Sequence, residues 1–153
     1  MVDEASERAC IESFKRNDYM ACIGQVLSLL AQTKSSTHTL MQIVLISSQR
    51  VGYVAGIEQF GPLALDIASG DAWHRLLLEF SLGIRALPDV LNAADSDRRR
   101  CQAHYYSGAR FATEGRASYA REQFSLAAAL NAPCVEHELA EHELAARGRP
   151  KAI

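Results

Sequence analysis

The stretch from Cys101 to Pro133 constrains the fold of this chain more than any other segment. It places Gly108 inside a helical pattern, where glycine costs about 1 kcal/mol relative to alanine. A helix keeps such a glycine when a neighbouring helix must come close. Further on, Ala120 and Ala127 each lie about one helical turn from Phe124. Small residues on both sides of one aromatic ring favour interlocking of two helices. The stretch therefore predicts a tightly packed helical hairpin.

This stretch resembles the tetratricopeptide repeat, a helix–turn–helix unit of about 34 residues with the pattern W-x2-L-G-x2-Y…A-x3-F…P. Gly108 and Phe111 match the first part of the pattern, and Pro133 closes it. Gly115 lies in the turn between the two helices, where it suits the left-handed residue that ends a helix. The resemblance implies a protein that holds other proteins or peptides and carries out no chemistry of its own.

The rest of the chain also has a helical pattern. Pairing Cys22 with Gly56 gives a spacing of 34 residues and also aligns Val26 with Phe60, which indicates weaker copies of the repeat. Leu82-Gly83 repeats the Leu-Gly pair of the family motif. Besides the hairpin, helices are predicted over residues 3–16, 20–32, 37–50, about 54–68, 72–85, 88–94 and 134–147.

Together these patterns predict an all-α fold of about nine helices in antiparallel pairs, which form a short right-handed superhelix. A single domain is expected over residues 1–147, with the best-matching repeat at 101–134 and a capping helix at 134–147. Residues 148–153 are expected to be disordered. Residues 71–146 also resemble bacterial repeat proteins related to the lipoprotein NlpI, an adaptor for envelope enzymes.

Charge and composition narrow the classes of partner and compartment. The net charge of −2 and the pI near 6.2 argue against nucleic acid or an anionic membrane as the main partner. No stretch approaches the roughly 18 continuous apolar residues that span a bilayer. The N-terminus is acidic and lacks the apolar core of a secretory signal. Four scattered cysteines suit packed, reduced thiols, so a cytoplasmic protein is predicted.

Two histidine patterns suggest zinc chemistry at first sight. His137 and His142 resemble the H-E-x-x-H motif, but their i, i+5 spacing turns them about 140° apart on a helix. Cys101 with His104, and Cys134 with His137, form two i, i+3 pairs that could supply four ligands. The alternative is packed thiols and surface imidazoles. No nucleophile elbow and no phosphate-binding loop occurs. We therefore expect no enzyme, no cofactor and no metal.

The resemblance to tetratricopeptide arrays implies that the first helix of each repeat lines a concave groove. Tyr105 offers a partner an apolar ring with a polar tip. If Met41 and Leu45 are exposed, they suit an amphipathic peptide or helix; the alternative is that these residues pack against a neighbouring helix. The predicted groove residues are Gln102, Tyr105, Ala109, Ala112 and Thr113 in the strong repeat, and His38, Met41, Leu45, Ser48 and Gln49 in the preceding one.

The expected function is a cytoplasmic protein–protein interaction module, an adaptor or scaffold that binds a protein or peptide in this groove. The alternative is a dedicated bacterial chaperone or immunity-type protein for one secreted effector or toxin. One tight stoichiometric partner would favour the alternative, and several weaker partners would favour an adaptor. The predicted helix over residues 37–50 is apolar nearly all round, which predicts burial on more than one side. A homodimer is a further way to cover it.

Overall fold

A computed structural model describes residues 3–33 and 36–147 of the chain. This part is all-α, as the sequence predicts, and most helix ends lie within a residue or two of the expected positions. The predicted disordered tail, residues 148–153, lies outside the described residues. The described helices are α1 (Glu4–Lys15), α2 (Tyr19–Thr33), α3 (His38–Arg50), α4 (Val54–Ile67), α5 (Ala72–Ser81), α6 (Leu87–Ala93), α7 (Asp97–Thr113), α8 (Ala117–Ala129) and α9 (Val135–Arg147).

The chain divides into two compact units, Met1–Leu82 and Gly83–Ile153, where the sequence predicted one domain over residues 1–147. We call them the first unit and the second unit. The described helices α1–α5 belong to the first unit, and α6–α9 belong to the second. In each unit, helices that follow one another along the chain pack against each other.

The first unit is built around α3. This helix packs against α1, α2, α4 and α5, and every residue from 40 to 48 is buried. The core around it contains Ile23 and Val26 from α2, Phe60 from α4 and Leu78 from α5. The prediction that this apolar helix is buried on more than one side is confirmed. Four neighbouring helices of the same chain cover it, so its apolar composition does not require a second copy.

The second unit contains the predicted hairpin, formed by α7 and α8. A Cβ atom added to Gly108 would lie 2.6 Å from two ring carbons of Phe124, so the expected close approach of the neighbouring helix is confirmed. Cys101 Sγ lies 3.5 Å from the carbonyl of Ala127 at one end of the pair. The rings of Phe111 and Tyr119 meet at the other end. These contacts show that the two helices run antiparallel.

The hairpin turn has the backbone predicted for it. Gly115 has φ +77°, the left-handed conformation that glycine adopts without a steric penalty. The N–H of Arg116 donates to the carbonyl of Phe111 at 2.8 Å, and that of Gly115 donates to Ala112 at 3.1 Å. This pair of bonds is the Schellman motif, which satisfies the last carbonyls of a helix.

Within residues 3–33 and 36–147, left-handed residues recur at the ends of four helices. They are Asn17, Gly52, Gly83 and Gly115, and the intervals from 17 to 52, 52 to 83 and 83 to 115 are 35, 31 and 32 residues. The prediction that Leu82-Gly83 repeats the Leu-Gly pair of the motif is wrong, because Gly83 has φ +82° just after α5 and is not within a helix. Gly83 corresponds instead to Gly115, which explains why α5 ends at Ser81 and not at 85.

Alternate helices run side by side with a similar interval. In the first unit, Gln49 Nε2 donates to the carbonyl of Ser81, 32 residues away. In the second unit, Gln102 Nε2 donates to Glu136 Oε1, 34 residues away. The packing of α1 on α3, α3 on α5 and α7 on α9 follows the same rule. This arrangement is compatible with a helical repeat of about 34 residues.

Candidate functional site

The predicted groove residues are mostly inside the two units. Met41 and Leu45 are fully buried in the core of the first unit. Tyr105 is also fully buried, with its ring against Tyr106 and Phe124. These three side chains therefore follow the alternative, in which they pack against neighbouring helices. The physical reason is that α3 and α7 are covered by neighbouring helices on the faces that the repeat pattern assigned to a groove.

The remaining groove residues divide by exposure. Gln102, Ala109 and Ser48 are buried, whereas His38, Gln49 and Ala112 are half-buried and Thr113 is exposed. Gln49 also bonds to the end of α5, so its amide is partly used within the first unit. A partner that reaches α3 would meet His38 and Gln49, and a partner that reaches α7 would meet Thr113. Their role as partner contacts stays a prediction.

The large exposed apolar side chains lie mainly at the helix turns, which the sequence analysis did not single out. Met20 is 63% exposed at the start of α2, and Val54 is 62% exposed at the start of α4. Val51 and Tyr53 flank the same α3–α4 turn and are also exposed. In the second unit, Ile84 directly follows Gly83, and Tyr119 lies in the first turn of α8 after Gly115; both are exposed. We call the four residues of the first unit (Met20, Val51, Tyr53 and Val54) the turn edge.

An arginine connects the two turns of the first unit. The guanidinium of Arg50 lies 5.3 Å from the ring centre of Phe14 and 5.4 Å from that of Tyr19. Arg50 Nη1 donates to the Tyr19 hydroxyl at 2.8 Å, and this hydroxyl donates to Asn17 Oδ1 at 2.9 Å. Cation–π and hydrogen-bond contacts therefore hold the α1–α2 turn beside the α3–α4 turn. Consequently both turns, with the exposed apolar side chains that follow them, lie at the same end of the first unit.

A buried polar cluster occupies the second unit where α7 meets α9. Glu136 is 3% exposed, and its Oε1 accepts bonds from Gln102 Nε2 at 3.2 Å and the Tyr106 hydroxyl at 3.1 Å. Burial raises the pKa of the Glu136 carboxyl, and these two donors only partly oppose that shift. Burial and the Glu136 charge also raise the pKa of Tyr106. The cluster is a buried carboxyl with two neutral donors and serves to position α9 on α7.

Two cysteines lie beside this cluster. Cys101 Sγ and Cys134 Sγ are 3.7 Å apart, and both thiols are free. The contact between the two thiols, together with burial, raises the pKa of the buried Cys101, whereas the same contact lowers the pKa of the half-buried Cys134. Of the two thiols, Cys134 is the one that solvent reaches.

The four-ligand zinc site considered from the sequence is not formed. His104 Nδ1 lies 2.8 Å from Gln123 Oε1, and His137 Nε2 lies 3.1 Å from the carbonyl of Ala128. Each imidazole therefore contacts a residue of α8, while the two thiols contact each other. His137 and His142 lie on the continuous helix α9, where their i, i+5 spacing keeps them on different faces. Neither pattern assembles a metal site among the described residues.

A different group of ligand-type side chains does come together in the first unit. It consists of His38 at the start of α3, Asp71 before α5, and His74 in the first turn of α5. One nitrogen of each imidazole and one carboxylate oxygen all lie within 4.8 Å of one another, and all three residues are half-buried. The two rings stack with centres 4.2 Å apart and an angle of 24°.

Sequence reasoning placed His38 in the groove and Asp71 at a helix cap, but did not connect them with His74. Asp71 is confirmed as the N-cap: its Oδ1 accepts the N–H of His74 at 3.0 Å. This bond, with smaller effects from the two histidines, lowers the pKa of the carboxyl. The signal that could have found the group is the interval of 36 residues between His38 and His74, which places them at the same end of neighbouring first helices.

The geometry defines an all-α protein of paired helices with tightly packed units and two polar clusters. Comparison with protein-family models, curated proteins and solved structures found no match for the chain. The resemblance to tetratricopeptide repeats therefore rests on the residues of the α7–α8 hairpin and on the repeat interval. Within residues 3–33 and 36–147, no helix combines the length and apolar character needed to cross a membrane.

The Glu136 cluster leads to a prediction about pH. The folded carboxyl has a raised pKa, so it keeps its proton at pH values where the unfolded carboxyl, with a reference pKa of 4.5, ionises. Raising the pH above 4.5 therefore lowers the free energy of unfolding of the wild type through this group. Glu136→Gln keeps an acceptor for Gln102 and Tyr106 without a charge. We expect the stability of the variant relative to wild type to increase as the pH rises above 4.5.

Urea denaturation at several pH values measures this difference. Glu143→Gln is the matched control, because Glu143 lies on the same helix but its carboxylate is 2.7 Å from Arg147. The control removes a favourable ion pair and is expected to lack the upward trend. A stability difference between Glu136→Gln and wild type that stays constant with pH would contradict the assigned cost of ionising Glu136.

Proposed function

We propose that this protein is a protein–protein interaction module of the tetratricopeptide type that acts as an adaptor or scaffold. The observation that carries the proposal is the turn edge of the first unit, where Met20 and Val54 are each more than 60% exposed. Exposed apolar side chains that lie together are typical of surfaces that contact other proteins. The hairpin α7–α8 and the repeat interval of about 34 residues add support, because repeats of this kind generally present binding surfaces.

The partner that fits this surface is a protein or peptide that presents apolar side chains. Tyr53 supplies a rigid aromatic body at the edge, and aromatic anchors contribute strongly to binding at interfaces. The Arg50 contacts hold the two turns together before a partner binds. A preformed surface loses little conformational entropy on binding, so a small apolar edge can still support a specific contact.

Affinity capture from a lysate of the source organism, followed by identification of the retained proteins, tests the proposal. The edge variant is Met20→Ser with Val54→Ser, and the groove variant is Gln49→Ala with Thr113→Ala. Leu126→Ser is the matched control, because Leu126 is an exposed apolar residue within α8, away from a turn. We expect the edge variant to lose the partner while the control retains it. Circular dichroism verifies that each variant is folded.

Each outcome identifies a different surface. Loss of the partner in the groove variant alone would assign binding to the first helices and overturn the turn edge as the contact. Retention of the same partners by the edge and groove variants would overturn both surfaces. A single partner recovered at equal stoichiometry would identify a dedicated binding protein for one target, whereas several partners would identify an adaptor.

A further inference from the structure

We infer that His38, Asp71 and His74 form a binding site for a divalent transition-metal ion in the first unit. Two imidazoles and one carboxylate are the donor set that Zn²⁺ uses in open sites, where water completes the coordination. The same donors also suit other first-row ions, such as Co²⁺. This inference is independent of the proposed binding of a protein partner, because neither the edge variant nor the groove variant alters these residues.

The packing of the first unit brings the three residues together. Helices α3 and α5 pack against each other, and Gln42 Oε1 accepts a bond from Ser81 Oγ at 2.7 Å farther along them. The two helices therefore run in the same direction, and both begin at the same end of the unit. His38 is the first residue of α3, and His74 is the third residue of α5. Asp71 precedes α5 as its N-cap and completes the group.

The distances match a site that closes around an ion. In a tetrahedral site, two ligand atoms each about 2.1 Å from zinc lie about 3.4 Å apart. The three donor atoms here lie within 4.8 Å of one another. Binding of an ion therefore requires the three donor atoms to move closer together. The half-buried position also leaves access for the ion and for the water molecules that fill its remaining coordination positions.

The Asp71 carboxylate is held in a fixed orientation, which suits a metal ligand. Asp71 Oδ1 accepts a hydrogen bond from the backbone N–H of His74 at 3.0 Å, which orients the carboxylate at the start of α5. Oriented carboxylates and imidazoles bind metals more tightly than mobile ones. The N-termini of α3 and α5 carry partial positive charge, which opposes a cation. The full negative charge of Asp71 offsets that opposition.

Titration with Co²⁺, followed by visible absorption and by calorimetry, tests the site, with Zn²⁺ as a competitor. The background for all proteins is Cys101→Ser with Cys134→Ser, because two neighbouring thiols can also bind these ions. We expect one equivalent of Co²⁺ per chain, displaced by Zn²⁺. Zn²⁺ is also expected to raise the unfolding temperature, because an ion that links α3 to α5 binds the folded state preferentially.

Three single variants examine the ligands. Asp71→Asn keeps the N-cap, since asparagine caps a helix as well as aspartate does, but it lacks the charge. His38→Gln and His74→Gln each remove one imidazole. We expect each substitution to weaken Co²⁺ binding by at least about tenfold. Removing a residue that only hydrogen-bonds to a metal ligand already costs about that much affinity, and these substitutions remove the ligand itself. His104→Ala, whose imidazole contacts Gln123 in the second unit, is the matched control and is expected to bind as wild type.

Two results would overturn the inference. One is that the protein with intact His38, Asp71 and His74 takes up no more Co²⁺ than the His38→Gln variant. The other is that the His104→Ala control loses binding to the same extent as the three ligand variants, which would place the ion elsewhere. Circular dichroism of the metal-free variants separates loss of a ligand from loss of the fold, and Asp71→Asn gives the most direct result because it preserves the cap.

Discussion

Replacement of Phe124 with alanine is expected to lower the free energy of unfolding by about 3–5 kcal/mol, the range for a fully buried aromatic side chain. Phe124 is completely buried, and its ring contacts Tyr105 and the backbone of α7 at Gly108. Loss of the ring removes both contacts and leaves a cavity between α7 and α8. Urea denaturation followed by far-UV circular dichroism measures the change.

Gly108 and Phe124 together give a more specific test. The sign of the stability change caused by Gly108→Ala is expected to depend on whether the Phe124 ring is present. In the wild type, Gly108→Ala places a Cβ 2.6 Å from two carbons of a buried ring. We expect the overpacking, about 1–3 kcal/mol, to exceed the gain in helix propensity of about 1 kcal/mol. In the Phe124→Ala background the obstruction is gone, so Gly108→Ala is expected to stabilise the protein.

Gly24→Ala is the control for helix propensity. Gly24 is an exposed residue within α2, and a Cβ there meets no atom within 4 Å. The Gly24→Ala substitution is expected to stabilise the protein by up to about 1 kcal/mol. If Gly108→Ala also stabilises the wild type, α7 and α8 are not as closely packed as described. If the Phe124→Ala variant does not fold, Gly108→Ala can be compared instead in the Phe124→Leu variant, which loses less of the buried side chain.

The second large effect is expected at residues that the sequence assigned to partner binding. Met41→Ala or Leu45→Ala is expected to lower the free energy of unfolding by about 2–5 kcal/mol, because both side chains are fully buried in the core around α3. The fluorescence of Trp73, the single tryptophan of the chain and a residue of α5, follows unfolding of the first unit. Thr113→Ala, at an exposed position, is expected to change stability by no more than about 0.5 kcal/mol.

This result also decides how binding experiments are interpreted. A partner lost by Met41→Ala would reflect damage to the fold of the first unit, not loss of a contact. If Met41→Ala instead keeps the wild-type stability and still loses the partner, Met41 is accessible in solution and the buried arrangement of α3 is wrong. Exposed substitutions such as Met20→Ser avoid this ambiguity, since they remove surface contacts and leave the core unchanged.

The sequence by itself determined the local structure of this protein. Helix periodicity and caps gave bounds close to those of nearly all the described helices, and Gly108 with Gly115 predicted the packing and the turn of the α7–α8 hairpin. These predictions depend on residues within about 30 positions of one another, where spacing, helix propensity and backbone conformation leave few alternatives. The end of α5 was missed because a glycine suits a packed helix and a left-handed turn equally well.

Only the tertiary structure decided which surfaces are available. The burial of Met41, Leu45 and Tyr105 depends on how many helices surround α3 and α7, and a helical pattern does not state how many neighbours a face will have. The meeting of His38 with Asp71 and His74 depends on the direction and offset of α3 and α5. A shift of one helix by a single turn, about 5.4 Å, would separate these side chains while leaving every local pattern unchanged.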